Sequence, residues 1–488
     1  MTSAARGRSG RSARAGEHRA SRTRRGADAV ALLTVYLVLL FAIPSNVTID
    51  ALGSLGRPSL LWGVVLMIFW SVSRLQKRAR DARPVRQPVR FAFALLVVIA
   101  LVSFTDALLR GQPADQVSPA FTALIRLISW SGVMLVAIDG VRSMADLTRI
   151  TRRIAIAAGL LAALGIAQFL TKQTLLDFFT LIPGVSSSGG GLIERGGVIR
   201  ASGTAIHPLE YATTLIGALP LVIAAAISHG FRWRHARVKV WWWVPVATIV
   251  ISALVGVSRA AIIGFVLAAL AMIPAVPRRY RAGVLGGGVV LVALVVVLLP
   301  GLLSTTVALF TGAGTDPSTQ SRVGALDRVP EFMSSSPVIG VGFGTFLPRY
   351  YIFDDAWVLI AVELGVLGVA AFAGVVFTSI WSALVARRQS GHGDVKLVGY
   401  ALAVAMVSMG VMFAFFDGLS FPISAGMLFL IAGLCGSVRN IGARDAVLNT
   451  EGRPREDLAR VDADGESSVR AARPAATPDP VPGASSQD

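Results

Sequence analysis

One cysteine, Cys435, occurs in the 488 residues, which excludes an intramolecular disulfide and a cysteine-built metal framework. Charge is scarce too: Asp, Glu, Lys and Arg make up 15% of the chain, where soluble domains carry about a quarter. There is no Walker loop, no zinc-ligand spacing and no dinucleotide fingerprint. The run Val341-Gly-Phe-Gly-Thr345 lacks the strand–helix setting that such a fingerprint needs. Acidic residues are outnumbered 28 to 46 by basic ones, giving a net charge of +18. In a chain that is 54% hydrophobic, that excess marks cytoplasmic loops rather than nucleic-acid binding, so no nucleic-acid partner is expected. No soluble catalytic domain is evident.

What is present is a succession of apolar runs. Stretches long enough to cross a bilayer, about 17–25 residues, fall at 28–44, 59–73, 91–109, 119–138, 154–170, 208–228, 240–256, 260–276, 283–303, 355–386, 397–416 and 419–437. The fold expected is all-α: a polytopic membrane protein of about 12 transmembrane helices with two long extracytoplasmic loops, 171–207 and 304–354. Residues 1–27 carry eight arginines among Ser, Ala and Gly and read as a disordered basic tail able to touch anionic headgroups. No cleavable signal peptide is evident, because the first apolar run is long and lacks an obvious cleavage site. Residues 28–437 form the expected membrane domain, and 438–488, rich in Pro, Ala, Asp, Glu and Ser, a second disordered tail.

Basic residues set the orientation. With a cytoplasmic N-terminus, the inner loops carry 21 Lys and Arg and the outer segments nine. That bias places both tails in the cytoplasm of a multi-pass protein of the cell membrane. It leaves the outer arginines unexplained by topology. Among them, Arg200 closes the first long loop, Arg259 lies in the tight turn Gly256-Val-Ser-Arg259, and Arg322 and Arg328 lie in the second long loop.

The chain reads as organised around residues 320–368, with Val338-Ile-Gly-Val-Gly-Phe-Gly-Thr-Phe346 followed by Asp354-Asp355-Ala-Trp-Val-Leu-Ile-Ala-Val-Glu363-Leu-Gly365. Gly340, Gly342 and Gly344 allow tight turns and close approach to a ligand. Arginine forks bind phosphate bidentately, and a lipid diphosphate would sit at this height with its tail in the membrane. A carboxylate there can take a proton from an attacking hydroxyl, and arginines can stabilise charge growing on a diphosphate leaving group. These residues therefore suit group transfer from a lipid diphosphate without metal or nucleotide.

Bland roles stand beside these. Arg200 can hold loop carbonyls, Arg259 can snorkel, and Arg322 and Arg328 can order their loop. Asp354 and Asp355 suit a helix N-cap. Glu363, two turns inside a span, needs an interior partner and could orient an arginine. His207 before Pro208 suits a structural role. Arg126 lies within the fourth span, about 10 Å from its outer end at 1.5 Å per residue, placed either to snorkel or to line a cavity.

Four motifs in order carry a family resemblance: Arg200-Ala-Ser-Gly-Thr-Ala-Ile-His-Pro208, Ser258-Arg259-Ala-Ala, Arg322 leading into Pro337-Val-Ile-Gly-Val-Gly-Phe-Gly344, and Glu363-Leu-Gly-Val-Leu-Gly368. Over roughly residues 195–370 the chain resembles the O-antigen ligase and O-antigen polymerase superfamily. The resemblance implies a membrane glycosyltransferase with an extracytoplasmic site and neither metal nor cofactor. It implies a glycan donor on undecaprenyl diphosphate and a glycan or lipid-glycan acceptor, and it admits a chain-length regulator as partner. By resemblance, Arg200 and Arg259 match the arginines that grip the diphosphate; the chain's own charge pattern adds Arg322 as a third, with Arg126, His207, Arg328 and Glu363 as supporting positions. Ligases of this family carry His-Asn where this chain has Asp354-Asp355. That difference points towards a polymerase, with either aspartate as the base. The alternative of another class is a transporter or flippase of a polar or lipid-linked solute, and a non-catalytic membrane scaffold is a third reading. Against transport, the distinctive polar residues cluster on one face rather than at the bilayer midplane.

Overall fold

The computed structural model describes residues 28–75, 86–187, 193–195, 198–231, 240–256, 258–298, 302–311, 314 and 317–450. The N-terminal tail 1–27 and the distal part of the C-terminal tail, 451–488, lie outside the described residues.

Helix starts follow local chemistry. α1 (Ala29–Phe41) is capped by Asp28, whose carboxylate accepts from Val30 N. α2 (Pro58–Leu75) and α3 (Pro88–Leu109) open on proline, which suits a first turn because its missing N–H would have no helical partner. α4 (Ala114–Gly140) leads into α5 (Met144–Thr171), whose Ser143 cap accepts from Asp146 N at 3.1 Å. α6 (Pro208–Ile227) is capped by His207. α7 (Val244–Val255) and α8 (Arg259–Met272) form the expected tight pair. α9 (Arg278–Leu298), α10 (Leu302–Thr311) and α11 (Pro317–Met333) follow, then α12 (Ala356–Gln389), α13 (Gly393–Met412) and α14 (Pro422–Thr450).

Among the described residues, nine of these helices are long and apolar enough to cross a membrane, and three shorter apolar helices, Ala29–Phe41, Trp241–Val255 and Arg259–Ala275, occupy the places of the other expected spans. The protein is an all-α, multi-pass membrane protein. Short antiparallel pairs decorate one end: β1 (Val47–Ile49) with β2 (Val185–Ser187), and β3 (Ile193–Arg195) with β4 (Val198–Arg200).

α14 is the spine. It is apolar and mostly buried against α4, α6, α12 and α13. Phe429 stacks on Trp130 at 4.9 Å and meets Phe93 edge-on at 5.4 Å. Small residues bring backbones close, as membrane helices require: a Cβ on Gly433 would meet Met134 O at 2.7 Å, and one on Gly132 would meet Gly63 O at 2.2 Å. At the end opposite the strands, Asp139 collects Arg74, Arg90 and the Trp70 indole N–H.

Two expectations change. The helix predicted to stop at 437 runs to Thr450, because its polar residues find partners beyond the apolar run. Asn440 bonds Ile138 O at 3.2 Å, and Asp445 binds Ser390 and His392. The second long loop, 304–354, is helical over 304–311 and Pro317–Met333. α11 lays Ala325, Val329 and Phe332 against Phe346, Phe353 and Tyr351.

α12 is interrupted at Gly365, where φ is 67° and ψ −167°. Residues 337–344 run into the break. Val341 N donates to Val362 O at 3.0 Å and Gly342 N to Glu363 O at 3.1 Å, while Val366 N donates to Pro337 O at 3.0 Å and Leu367 N to Val338 O at 3.2 Å. The glycines thus bring the segment against protein backbone: a Cβ on Gly340 would lie 2.2 Å from Glu363 O, and one on Gly365 would lie 2.3 Å from Val338 O. Gly365→Ala combines that overlap with a left-handed backbone, a conformation that alone costs roughly 1–2 kcal/mol for a residue with a Cβ. The variant should unfold at a clearly lower temperature in a detergent thermal melt, and an unchanged midpoint would contradict this packing.

Candidate functional site

The strand-bearing end collects residues from distant parts of the chain around the 413–421 connector between α13 and α14. Its carbonyls are the anchor points. Phe413 O accepts from Ala356 N at 2.9 Å, starting α12, and Phe415 O accepts from Arg322 at 2.8 Å. Phe421 lies 5.9 Å from the His207 ring. Asp417, from the same connector, stands within electrostatic reach of Arg126.

The predicted site residues fall into three groups. Arg259 and Arg322 meet at α11: Arg259 Nη2 reaches Thr319 Oγ1 at 3.0 Å, one turn before Arg322. Asp355 lies in Arg322's field, and Asp354 precedes it, half-buried. Arg200, buried at the end of β4, stands in the field of His207. Arg126 and Glu363 form the inner group, with Arg57 and Asp417. The Glu363 carboxyl accepts from Gly344 N and Phe346 N, so the glycine segment satisfies this buried polar group as well as the helix break. Arg328 is separate: its guanidinium stacks 5.3 Å from the Tyr351 ring centre on the outer rim.

Protonation follows from burial and neighbours. Desolvation, with Arg200 adding to it, lowers His207 to about 4, so the ring is neutral at pH 7. Its Nδ1 accepts from Leu209 N at 3.1 Å, which puts the proton on Nε2. Burial raises Asp355 above the ordinary carboxylate range against the opposing pull of its cap bonds and Arg322. Both cap bonds, from Trp357 N at 2.8 Å and Val358 N at 3.2 Å, use Oδ1, so Oδ2 is outside the cap. Asp417 is pushed up to about 6 by burial, against hydrogen bonds from Ser420 and the field of Arg126.

Three residues escaped the sequence reading. Glu210, fully buried in the first turn of α6, accepts from Ile423 N at 2.7 Å, Ile206 N at 3.0 Å and Ser45 Oγ at 3.2 Å. Its place three residues after the His207 cap is that of a capping-box acid, and this was the available signal. Asp417 is the only charged residue between Lys396 and Arg439, a signal that an intramembrane-charge scan would catch. Arg57 was visible only as one of nine outer basic residues. The Nε atoms of Arg57, Arg126 and Arg322 are buried without hydrogen-bond partners among the described residues, leaving cationic donors unspent.

Helix N-termini converge at this end, each with a positive dipole end. α6 and α12 are capped by His207 and Asp355, and Glu210 accepts from the first turn of α14. Ser258 makes no side-chain cap on α8, which begins at Arg259. Beside this helix start a narrow apolar crevice with about 20 Å³ of free space lies between α6, α7 and α8, lined by Ala201, Tyr211, Leu215, Ile249, Ser258 and Phe265.

The architecture and this charged end define a multi-pass, helical membrane protein with a polar site at one mouth of the bundle. Residues 244–373 match the family model described as O-Antigen ligase. Over those residues, about a quarter of the chain, the protein is similar to the O-antigen ligase family, and the similarity supports in general terms a membrane protein of glycan ligation or polymerisation. The match takes in Arg259, Arg322, Arg328, Asp354, Asp355 and Glu363, and leaves Arg126, Arg200, His207 and Asp417 outside. No curated protein matches the chain.

The Asp417 carboxyl binds its proton more tightly in the folded chain, about 6, than at its ordinary value of 3.8. Its contribution to stability is therefore fully present below about pH 4 and is lost as pH rises through about 6. Asp417→Asn removes that dependence. Thermal midpoints of variant and parent should move in the variant's favour between pH 4 and pH 8; a constant offset would mean that Asp417 does not titrate in this range.

Proposed function

We propose that the protein transfers a glycan from undecaprenyl diphosphate to a sugar hydroxyl at the extracytoplasmic membrane surface. The observation that carries this reading is the gathering of Arg259, Arg322 and Asp355 at one mouth of an apolar helix bundle. Cations beside an apolar membrane surface suit an amphiphile with an anionic head. The α8 N-terminus adds a positive dipole end of the kind that favours phosphate, and the unspent Nε of Arg322 adds a donor. The tail lies in the bilayer, and the diphosphate rests on Arg200, Arg259 and Arg322.

The acceptor hydroxyl attacks the anomeric carbon from the face opposite the diphosphate. The new C–O bond forms as the bond to the diphosphate oxygen breaks, and the anomeric configuration inverts. The acceptor's proton passes to the Asp354–Asp355 pair. Burial makes Asp355 a stronger base than an ordinary carboxylate, and its Oδ1 cap holds the side chain in place while Oδ2 receives the proton. The lipid diphosphate leaves with its charge matched by arginine. Arg126 and Glu363 support the floor, and no metal or cofactor enters the step. Polymerisation is preferred over ligation because Asp354-Asp355 stands where the family's ligases carry His-Asn. The active face is extracytoplasmic and both termini are cytoplasmic, as the basic loops indicate.

Asparagine caps helices about as well as aspartate, so Asp355→Asn separates capping from proton transfer. The variant should melt like the parent yet lose on the order of 10²-fold or more in glycan transfer, the usual scale for a lost general base. Unaltered transfer moves the base to Asp354 or Asp417, tested by the same substitution.

Arg259→Ala should abolish most product while the protein still folds. The decisive readout is mass analysis of surface glycan after gene deletion and complementation. Single repeat units gathering on the carrier identify a polymerase, and long chains stranded on the carrier identify a ligase. Glycan unchanged by deletion overturns the glycosyltransferase reading.

A further inference from the structure

The segment that follows α5 has a surface unlike a water-exposed loop. Thr174 Oγ1 bonds Asp177 Oδ2 at 2.6 Å, starting a single 3₁₀ turn, Asp177–Leu181. That turn and its flanks expose Leu175, Phe178, Leu181 and Ile182, with Leu181 79% and Phe178 56% accessible. The neighbouring loop adds exposed Ile49 and Leu52. The two loops are one unit, because β1 pairs with β2 and Asp50 N donates to Gly184 O at 3.0 Å. An apolar rim of this kind in water is unfavourable and marks an interaction surface.

The rim cannot collapse onto its own core. Gln168, in the last turn of α5, donates to Thr174 O at 2.7 Å and to Gly203 O at 2.9 Å, and accepts from Gly203 N at 2.8 Å. Both ends of the excursion are thereby pinned to the end of a membrane-spanning helix. Ser45 N bonds Thr204 O at 2.8 Å, which ties the β1 side to the same point.

We propose that this rim, residues 175–182 with Ile49 and Leu52, is an interfacial anchor seated in the headgroup–acyl boundary of the leaflet at the site end. Its occupant is lipid. The rim continues the lipid-facing surface of α5, where Leu160 and Leu170 are each 67% exposed, and only residues 172–174 separate it from that helix. Lys172 stands between the two, where a cation meets phosphate headgroups, and the short apolar turn has the aromatic and leucine content of an interfacial segment. Through Ser45, Thr204 and Gln168 the anchor fixes the depth of the loop that ends at Arg200. Taken with the proposed function, on which this last point rests, it holds that arginine at the height of a lipid diphosphate.

The test uses the full chain in lipid nanodiscs and needs no activity. A cysteine is placed by Leu181→Cys, and separately by Phe178→Cys, then labelled with an environment-sensitive NBD probe; native Cys435 is buried. The expected result at either position is blue-shifted emission, strong loss of emission with shallow doxyl-labelled lipids, and protection from aqueous iodide. Water-like emission quenched by iodide overturns the proposal. Blue-shifted emission untouched by doxyl lipid also overturns it, because protein rather than lipid then covers the rim. Loss of transfer by Arg259→Ala with the lipid quenching intact would separate the anchor from the chemistry.

Discussion

A helix in hydrocarbon can be interrupted only where another segment replaces its lost backbone hydrogen bonds. At Gly365 residues 337–344 make that replacement with four bonds across the break. The same segment directs Gly344 N and Phe346 N at the Glu363 carboxyl. One insertion therefore solves two problems of a low-dielectric interior, an open backbone and a buried polar group. It also fixes where residues 347–355 return to the membrane, and with them Asp354, Asp355 and the first turn of α12.

The 413–421 connector completes the arrangement from the other side. Its carbonyls hold Arg322 and the start of α12, its aromatic Phe421 faces His207, and Asp417 faces Arg126. Cations from four separate regions are thus brought to one mouth of the bundle without a soluble domain. Capping differs among the helices that end there. His207 and Asp355 spend their side chains on α6 and α12, whereas Ser258 makes no side-chain cap on α8 beside Arg259.

The candidate residues were legible because charge is so rare in this chain. Arg200, Arg259 and Arg322 stood out against apolar runs, and Asp355 before Ala356 carried its capping role openly. The glycine run was legible as special backbone but not in its purpose: spacing reveals that Gly340 needs a positive φ or a close neighbour, not that the neighbour is Glu363. Arg328 looked equivalent to Arg322, six residues earlier, yet stacks on Tyr351 at the rim. Glu210 was hidden because its partners, Ile423 and Ser45, lie 213 and 165 residues away.

By itself the sequence determined the membrane class, the all-α architecture and the approximate places of the apolar helices. These depend on local quantities: hydropathy over a span, a proline or a capping side chain at a helix start, a basic loop. Tertiary structure decided that α12 is two half-helices bridged by a distant segment, that the second long loop folds as helix against an aromatic cluster, that the last helix runs on past its apolar stretch, and that Asp417, Arg57 and Glu210 join the site. Those outcomes depend on which polar group meets which across the bundle, and that is set only when the helices pack.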